Sequence, residues 1–287
     1  MSPDERGMPS ARPLGEVVAG YLPLVYNIVG RGLDGHRDVD EIVRDTMLRA
    51  VDGLPAADPG RLRPRLVALA ARRVRDRTDD RLAARARATG LPARREIAGP
   101  ETDFASLAIV RLGLTGQRRE VAEATRWLDD EDRPLLSLWW LEAAGELTRD
   151  ELSGAMDLSR LHAAVPVLRL KGQLKVARAV VRAVSSRPRC HGLDATLVGW
   201  HGRADPAWRD RIARHIRDCH ACVRHRAQVV PTERLLVGMP PVPPPAGLSV
   251  PGVGAPAGPG GRVTWLGQLT HGLLPTRPTR WPPDPTR

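Results

Sequence analysis

Two cysteines and a histidine, spaced His215-x3-Cys219-x2-Cys222, constrain this chain more than any other stretch. The chain contains only three cysteines, and the third is Cys190, upstream of this run. Three thiolates and one imidazole make a complete tetrahedral shell of the Cys3His type. His215 and Cys219 lie four residues apart, so one helical face presents both. Cys219 and Cys222 form the C-x2-C knuckle, and Cys190 closes the shell. The spacing predicts one zinc ion, Zn2+, held by Cys190, His215, Cys219 and Cys222. A C-x2-C pair without metal is also read as a redox dithiol, and buried cysteines also serve as small apolar side chains. His191 and His201 are the substitutes if Cys190 is not a ligand; His220 and His225 read as solvated.

The 287 residues suffice for two or three small domains, and 42% of them are hydrophobic. Aromatics make up only 3%, with Phe104 the single phenylalanine. Cores built from Leu, Val and Ala favour helices over a β-sandwich. The formal net charge is +11, and the basic residues are arginines except Lys171 and Lys175. Such a balance suits anionic partners, nucleic acid above all, although an Arg- and Ala-rich coding bias produces the same composition. Three cysteines fit a reducing cytoplasm. The N-terminus has no signal-peptide core, and no apolar run is long enough to span a membrane. A cytoplasmic protein with no membrane partner is therefore expected.

Apolar spacing predicts an all-α chain. Val17, Val18, Tyr21, Leu24, Val25, Ile28 and Val29 recur at three and four, and Gly30 and Gly32 end that helix. A second helix runs from about Arg37 to Val51, with acidic residues crowding its first half. A third begins near Arg61 and places Pro64 in its first turn. Residues 87–103 read as a linker. A second helical block covers 104–184, with marked helices at 120–127 and 133–144. Thr148 with Glu151 forms a capping box, and Ser159 is an N-cap. A short helix, a tight turn and a basic helix make a helix-turn-helix pattern, with Pro166 expected to kink the second helix or delay its start. Trp139 and Trp140 read as core. From residue 231 to 287 proline and glycine dominate, and the composition predicts a disordered tail. Trp265, Leu266, Leu269 and Leu273 form a small apolar island in it.

The run His215-x3-Cys219-x2-Cys222 with upstream Cys190 resembles the zinc-binding anti-sigma domain. That resemblance implies a small helical unit, here residues 187–230, with a structural zinc; in some members the thiols also sense oxidation. Two upstream segments resemble the extracytoplasmic-function sigma factors of the sigma-70 family. Tyr21–Ile28, Asp38–Ala50 and Leu66–Asp76 look like region 2, within residues 14–86. Leu135–Glu142 and Glu151–Ser159, onward to Arg178, look like region 4, within residues 104–184. The resemblance implies that Asp40, Glu41, Asp45 and Thr46 dock on core RNA polymerase. It implies promoter DNA as a second partner. Arg160, His162, Arg169, Lys171 and Lys175 would then meet the −35 element, and Arg72, Arg73 and Arg77 the −10 element. The chain departs from the family in having no aromatic on its third helix, where strand opening needs stacking wedges.

No Walker-type loop, G-x-S-x-G or H-E-x-x-H occurs, so no enzyme is expected. The reading is a sigma factor carrying a tethered zinc module, which makes sigma/anti-sigma contacts within or between chains. The alternative is a degenerate sigma-like or anti-sigma-like regulator that works through protein contacts without opening promoters.

Overall fold

The computed structural model describes residues 14–52, 59–87, 103–227 and 229–250. Every regular element among them is helical. In chain order these are α1 (Leu14–Gly20), α2 (Leu22–Gly32), α3 (Val39–Asp52), α4 (Leu62–Arg87), α5 (Phe104–Arg111), α6 (Gly116–Ala124), α7 (Arg133–Ala144), α8 (Arg149–Ala155), α9 (Arg160–Ser185), α10 (His191–Thr196), α11 (Pro206–Asp218) and α12 (Thr232–Leu236). No helix among the described residues is long and apolar enough to cross a membrane.

Helices α2, α3 and α4 pack on one another through Ile28, Val43, Met47, Leu66 and Val74, all fully buried. The first apolar run breaks at Tyr21 into α1 and α2, and Pro23 fits the first turn of α2, where no backbone donor is required. Gly30 does not stop the helix as its composition suggested. It lies inside α2, and a Cβ there would sit 2.3 Å from Cε2 of Phe104. The glycine exists to let α5 approach. The guanidinium of Arg31 is buried over the rings of Trp140, at 3.9 Å, and Phe104, at 4.9 Å. Burial pulls its pKa down to about 9, with Asp34 opposing, and the two ring faces supply the attraction that such a cation needs.

Both helix starts of the helix-turn-helix are capped as expected. Thr148 and Glu151 form a reciprocal capping box at α8, and the Ser159 side chain accepts from the His162 backbone at α9. Replacing Thr148 by Ala is expected to cost about 1 kcal/mol in urea unfolding. Helix α9 runs through Pro166 instead of starting after it. The proline leaves the carbonyl of His162 without its helical donor, and His162 is an exposed residue. Trp139 and Trp140 are core, each 2% exposed.

Three segments that read as separate domains share one apolar core. Helix α2 packs along α7, and α4 packs along α8. Ion pairs fasten the same contact: Arg63 to Glu151 at 2.5 Å, Arg75 to Asp157 at 3.3 Å and Arg133 to Asp34 at 3.1 Å. Arg63 also donates to the Glu146 carbonyl, and Arg75 to that of Ala155. The periodicity of each helix reveals that it has an apolar face, not which other face it meets. The described residues accordingly form one compact unit. The expected linker lies outside the described residues apart from its ends.

The proline-rich segment also departs from expectation. Residues 239–250 form an ordered strap, with Met239, Val242, Leu248 and Val250 buried. The Asn27 side chain clamps the strap, donating to the Val242 carbonyl at 2.8 Å and accepting from its N–H at 2.9 Å. Arg111 donates to the Pro243 carbonyl and Arg44 to that of Ser249. The Gly238 N–H donates to the Ala144 carbonyl at the end of α7. The strap thus stitches α7 to α2, α5 and α3. Residues 251–287, with the island at Trp265, lie outside the described residues. Replacing Asn27 by Ala orphans two buried backbone groups and is expected to cost about 1–3 kcal/mol, read as a lowered urea midpoint.

Candidate metal centre

Helices α10 and α11 form a small hairpin that places all four sequence-selected ligands together. Cys190 is the N-cap of α10, His215 lies in the last turn of α11, and Cys219 is the C-cap of α11. Cys222 follows one turn later, its N–H donating to the Cys219 carbonyl at 3.0 Å. The four donor atoms all lie within 4.8 Å of one another. From Cys190 Sγ the separations are 3.2 Å to His215 Nε2, 3.9 Å to Cys219 Sγ and 3.3 Å to Cys222 Sγ. A tetrahedron with metal–sulfur bonds of about 2.3 Å has sulfur–sulfur edges of roughly 3.8 Å. These separations fit such a shell, and they exceed the roughly 2.05 Å of a disulfide. All three cysteines are free, so the donor set can hold a metal ion.

The surroundings suit bound thiolates. The Leu193 N–H donates to Cys190 Sγ at 3.2 Å. Hydrogen bonding from the Cys222 backbone lowers the Cys219 pKa. Burial, with the neighbouring cysteines adding to it, pushes the Cys222 thiol up to about 12. A bound cation reverses that penalty. An ion held by all four donors in a tetrahedral shell would have no open position.

Sequence reading missed the groups that hold the ligands in place. A Cβ on Gly192 would lie 2.8 Å from Cε1 of His215, so only glycine lets the imidazole pass over α10. Its position two residues after Cys190 was the available signal. Gly192→Ala is expected to weaken metal binding at least tenfold in a chelator competition, the usual scale for perturbing a ligand's support. Asp205 caps α11 by accepting from Ala207 and Trp208. Arg209 is buried and reaches the Trp127 carbonyl at 3.0 Å and Asp129 at 3.2 Å. Trp200 meets Trp127 at 5.9 Å. The Arg209 and Trp200 contacts fix the hairpin to the turn at Thr125–Trp127, and α11 also packs on α9.

The other selected residues are dispersed, and most are already engaged. Arg160 pairs with Asp150, Arg169 with Asp132 and Lys171 with Glu233. Arg73 pairs with Asp45 and Arg77 with Asp38. Arg72 and Lys175 are exposed, and His162 is exposed with its ring against Ser159 Oγ. Among the acidic set, Glu41 is exposed, Asp40 is half-buried, and Asp45 also pairs with Arg49. Thr46 is fully buried, its hydroxyl donating to the Ile42 carbonyl, and it has no surface to offer a partner. Its place in a mixed acidic run hid the fact that its arc of α3 faces the core. The chain matches no family model, no curated protein and no solved structure.

Proposed function

We propose that this chain is a sigma-like regulator of RNA polymerase, held in a closed form and braced by a structural zinc centre. The observation that carries the reading is the direct packing of α4 on α8. In the resemblance, α4 is the helix that meets the −10 element, and α8 opens the helix-turn-helix that meets the −35 element. Those elements lie roughly 25 base pairs apart, about 85 Å of B-form DNA at about 3.4 Å per pair. Two helices in contact do not span that distance, so promoter engagement requires the halves to part. Residues 88–103 separate α4 from α5, a covalent reach of up to about 60 Å at about 3.3–3.6 Å per extended residue; this permits the halves to part, and the lengths of the helices themselves supply the rest of the span.

Zinc is the metal that best suits three thiolates and one imidazole in a tetrahedral shell. Cys190, His215, Cys219 and Cys222 would hold it, and it would pin α10 to α11. Oxidation of the thiols would remove them as ligands. Because the hairpin packs on α9, its role in this reading is to brace the region-4-like half.

The experiment compares capture by bacterial core RNA polymerase of the intact protein and of a variant opened by Arg63→Glu with Arg75→Glu. Stronger capture of the opened variant supports the reading. A second reading, a regulator acting only through protein contacts, is favoured by the extensive pairing of the basic residues. Under that reading neither protein supports a run-off transcript.

A further inference from the structure

The outward face of α9 is apolar where a DNA-reading helix carries polar side chains. Leu161, Val165 and Leu168 are 79%, 72% and 70% exposed. With a residue every 100°, they share one narrow arc with Gly172, Val176 and Ala179. The track is about 27 Å long at about 1.5 Å per residue. It runs into a cleft of about 170 Å³ between α9 and α11, floored by Val176, Ala179 and Ile216. The opposite face of α9, with Ala163, Val167, Leu170 and Leu174, is already spent on the core. Helix α9 is therefore apolar on two sides.

The charged side chains that line the cleft have one sign. Lys175, Arg217 and Arg226 rim the cleft. Lys175 and Arg226 have no ion-pair partner among the described residues, and Arg217 faces only Asp218 at 3.7 Å. Arg160 and Arg169 flank the other end, each paired with its own carboxylate. Base edges in the major groove present donors and acceptors, and apolar side chains there match only thymine methyl groups. A second copy would bring the same cations face to face in a two-fold contact. An amphipathic helix with an apolar stripe and acidic flanks satisfies both the track and its rim.

We infer that the exposed face of α9, from Leu161 to the cleft at Val176, is a docking site for an acidic amphipathic helix of a partner protein. An apolar anchor side chain fills the cleft, and neighbouring carboxylates meet Lys175, Arg217 and Arg226. This inference does not depend on polymerase capture, and it replaces the −35 contact of α9 by a protein contact, so peptide binding and polymerase capture fail separately.

The test uses the full-length, metal-loaded protein and a fluorescein-labelled helical peptide with leucines at i, i+4 and i+7 and glutamates on both flanks. A scrambled peptide of the same composition and a DNA duplex are the comparison probes. Binding is expected for the helical peptide, and Leu161→Glu or Leu168→Glu is expected to weaken it at least tenfold. Lys175→Glu with Arg226→Glu is expected to weaken it similarly. All four side chains are on the surface, so circular dichroism should be unchanged. Equal binding of the scrambled peptide overturns the inference. So does indifference to Leu168→Glu, loss of duplex binding in that variant with no peptide binding by the parent, or a dimer in light scattering that Leu168→Glu dissolves.

Discussion

Chelating the metal is expected to unfold the α10–α11 hairpin and to lower the stability of the whole body. The hairpin's helices have 6 and 13 residues, too short to persist alone in water. Its own apolar contribution is slight: Leu193, Leu197, Ile212, Ile216 and Cys222 are its buried apolar residues. A structural zinc supplies about 10–16 kcal/mol of apparent binding energy near neutral pH, well above what such a core provides. Metal analysis should find one zinc per chain. After chelation, far-ultraviolet circular dichroism should lose the helix signal of the hairpin, and adding zinc should restore it. Cys219→Ser and Cys222→Ser should each lower metal occupancy and produce the same loss. Acid should act in the same direction, because each ligand must lose its proton to bind metal. An unchanged spectrum after complete metal removal would show that packing on α9 alone holds the hairpin.

Arg178→Ala is expected to be the most damaging single substitution outside the metal centre. Arg178 is 1% exposed and lies at the meeting point of three segments. Its Nε donates to Glu120 at 2.7 Å, and its terminal nitrogens donate to Gln117 at 2.8 Å and to the Val230 carbonyl at 2.6 Å. Burial lowers its pKa, with Glu120 opposing. Arg182 shares Glu120 at 2.5 Å. Truncation leaves a largely buried carboxylate short of one cation and removes the donors to Gln117 and to the Val230 carbonyl. Breaking a buried pair in this way costs about 3–5 kcal/mol, or roughly 10 °C in Tm for a body of this size. Replacing both partners, Arg178→Met with Glu120→Leu, should recover part of that loss, because it removes the orphaned charge. A single-variant loss below about 1 kcal/mol in urea unfolding would contradict the placement.

The contrast between Arg178 and Cys190 shows what the sequence made legible. Three cysteines and a histidine at ligand spacing can satisfy one another only by convergence, so the centre could be read before any helix was placed. Thr148 and Glu151, or Ser159, act within one turn, and their caps were equally legible. Arg178 was not, because its partners Glu120 and Gln117 lie on α6, far away in sequence. In isolation an arginine on a basic helix reads as solvated. The strap was hidden for another reason. Proline-rich composition correctly denies residues 239–250 a core of their own. They need none, since Met239, Val242, Leu248 and Val250 fill sites on helices already packed, and Asn27 satisfies the backbone. The pairing of α4 with α8 was invisible for the reason that governs most helical proteins: periodicity marks an apolar face, while its partner is chosen by shape.

Capture by core RNA polymerase tests the closed sigma-like reading most directly. The intact protein, its Arg63→Glu/Arg75→Glu variant and a variant that also carries Glu41→Lys on the exposed acidic side of α3 are compared at equal concentration and fixed salt. The closed-form account predicts weak capture of the intact protein, strong capture of the opened variant, and loss of that gain when Glu41 is reversed. Absence of capture for all three proteins, or equal capture of all three, would contradict it.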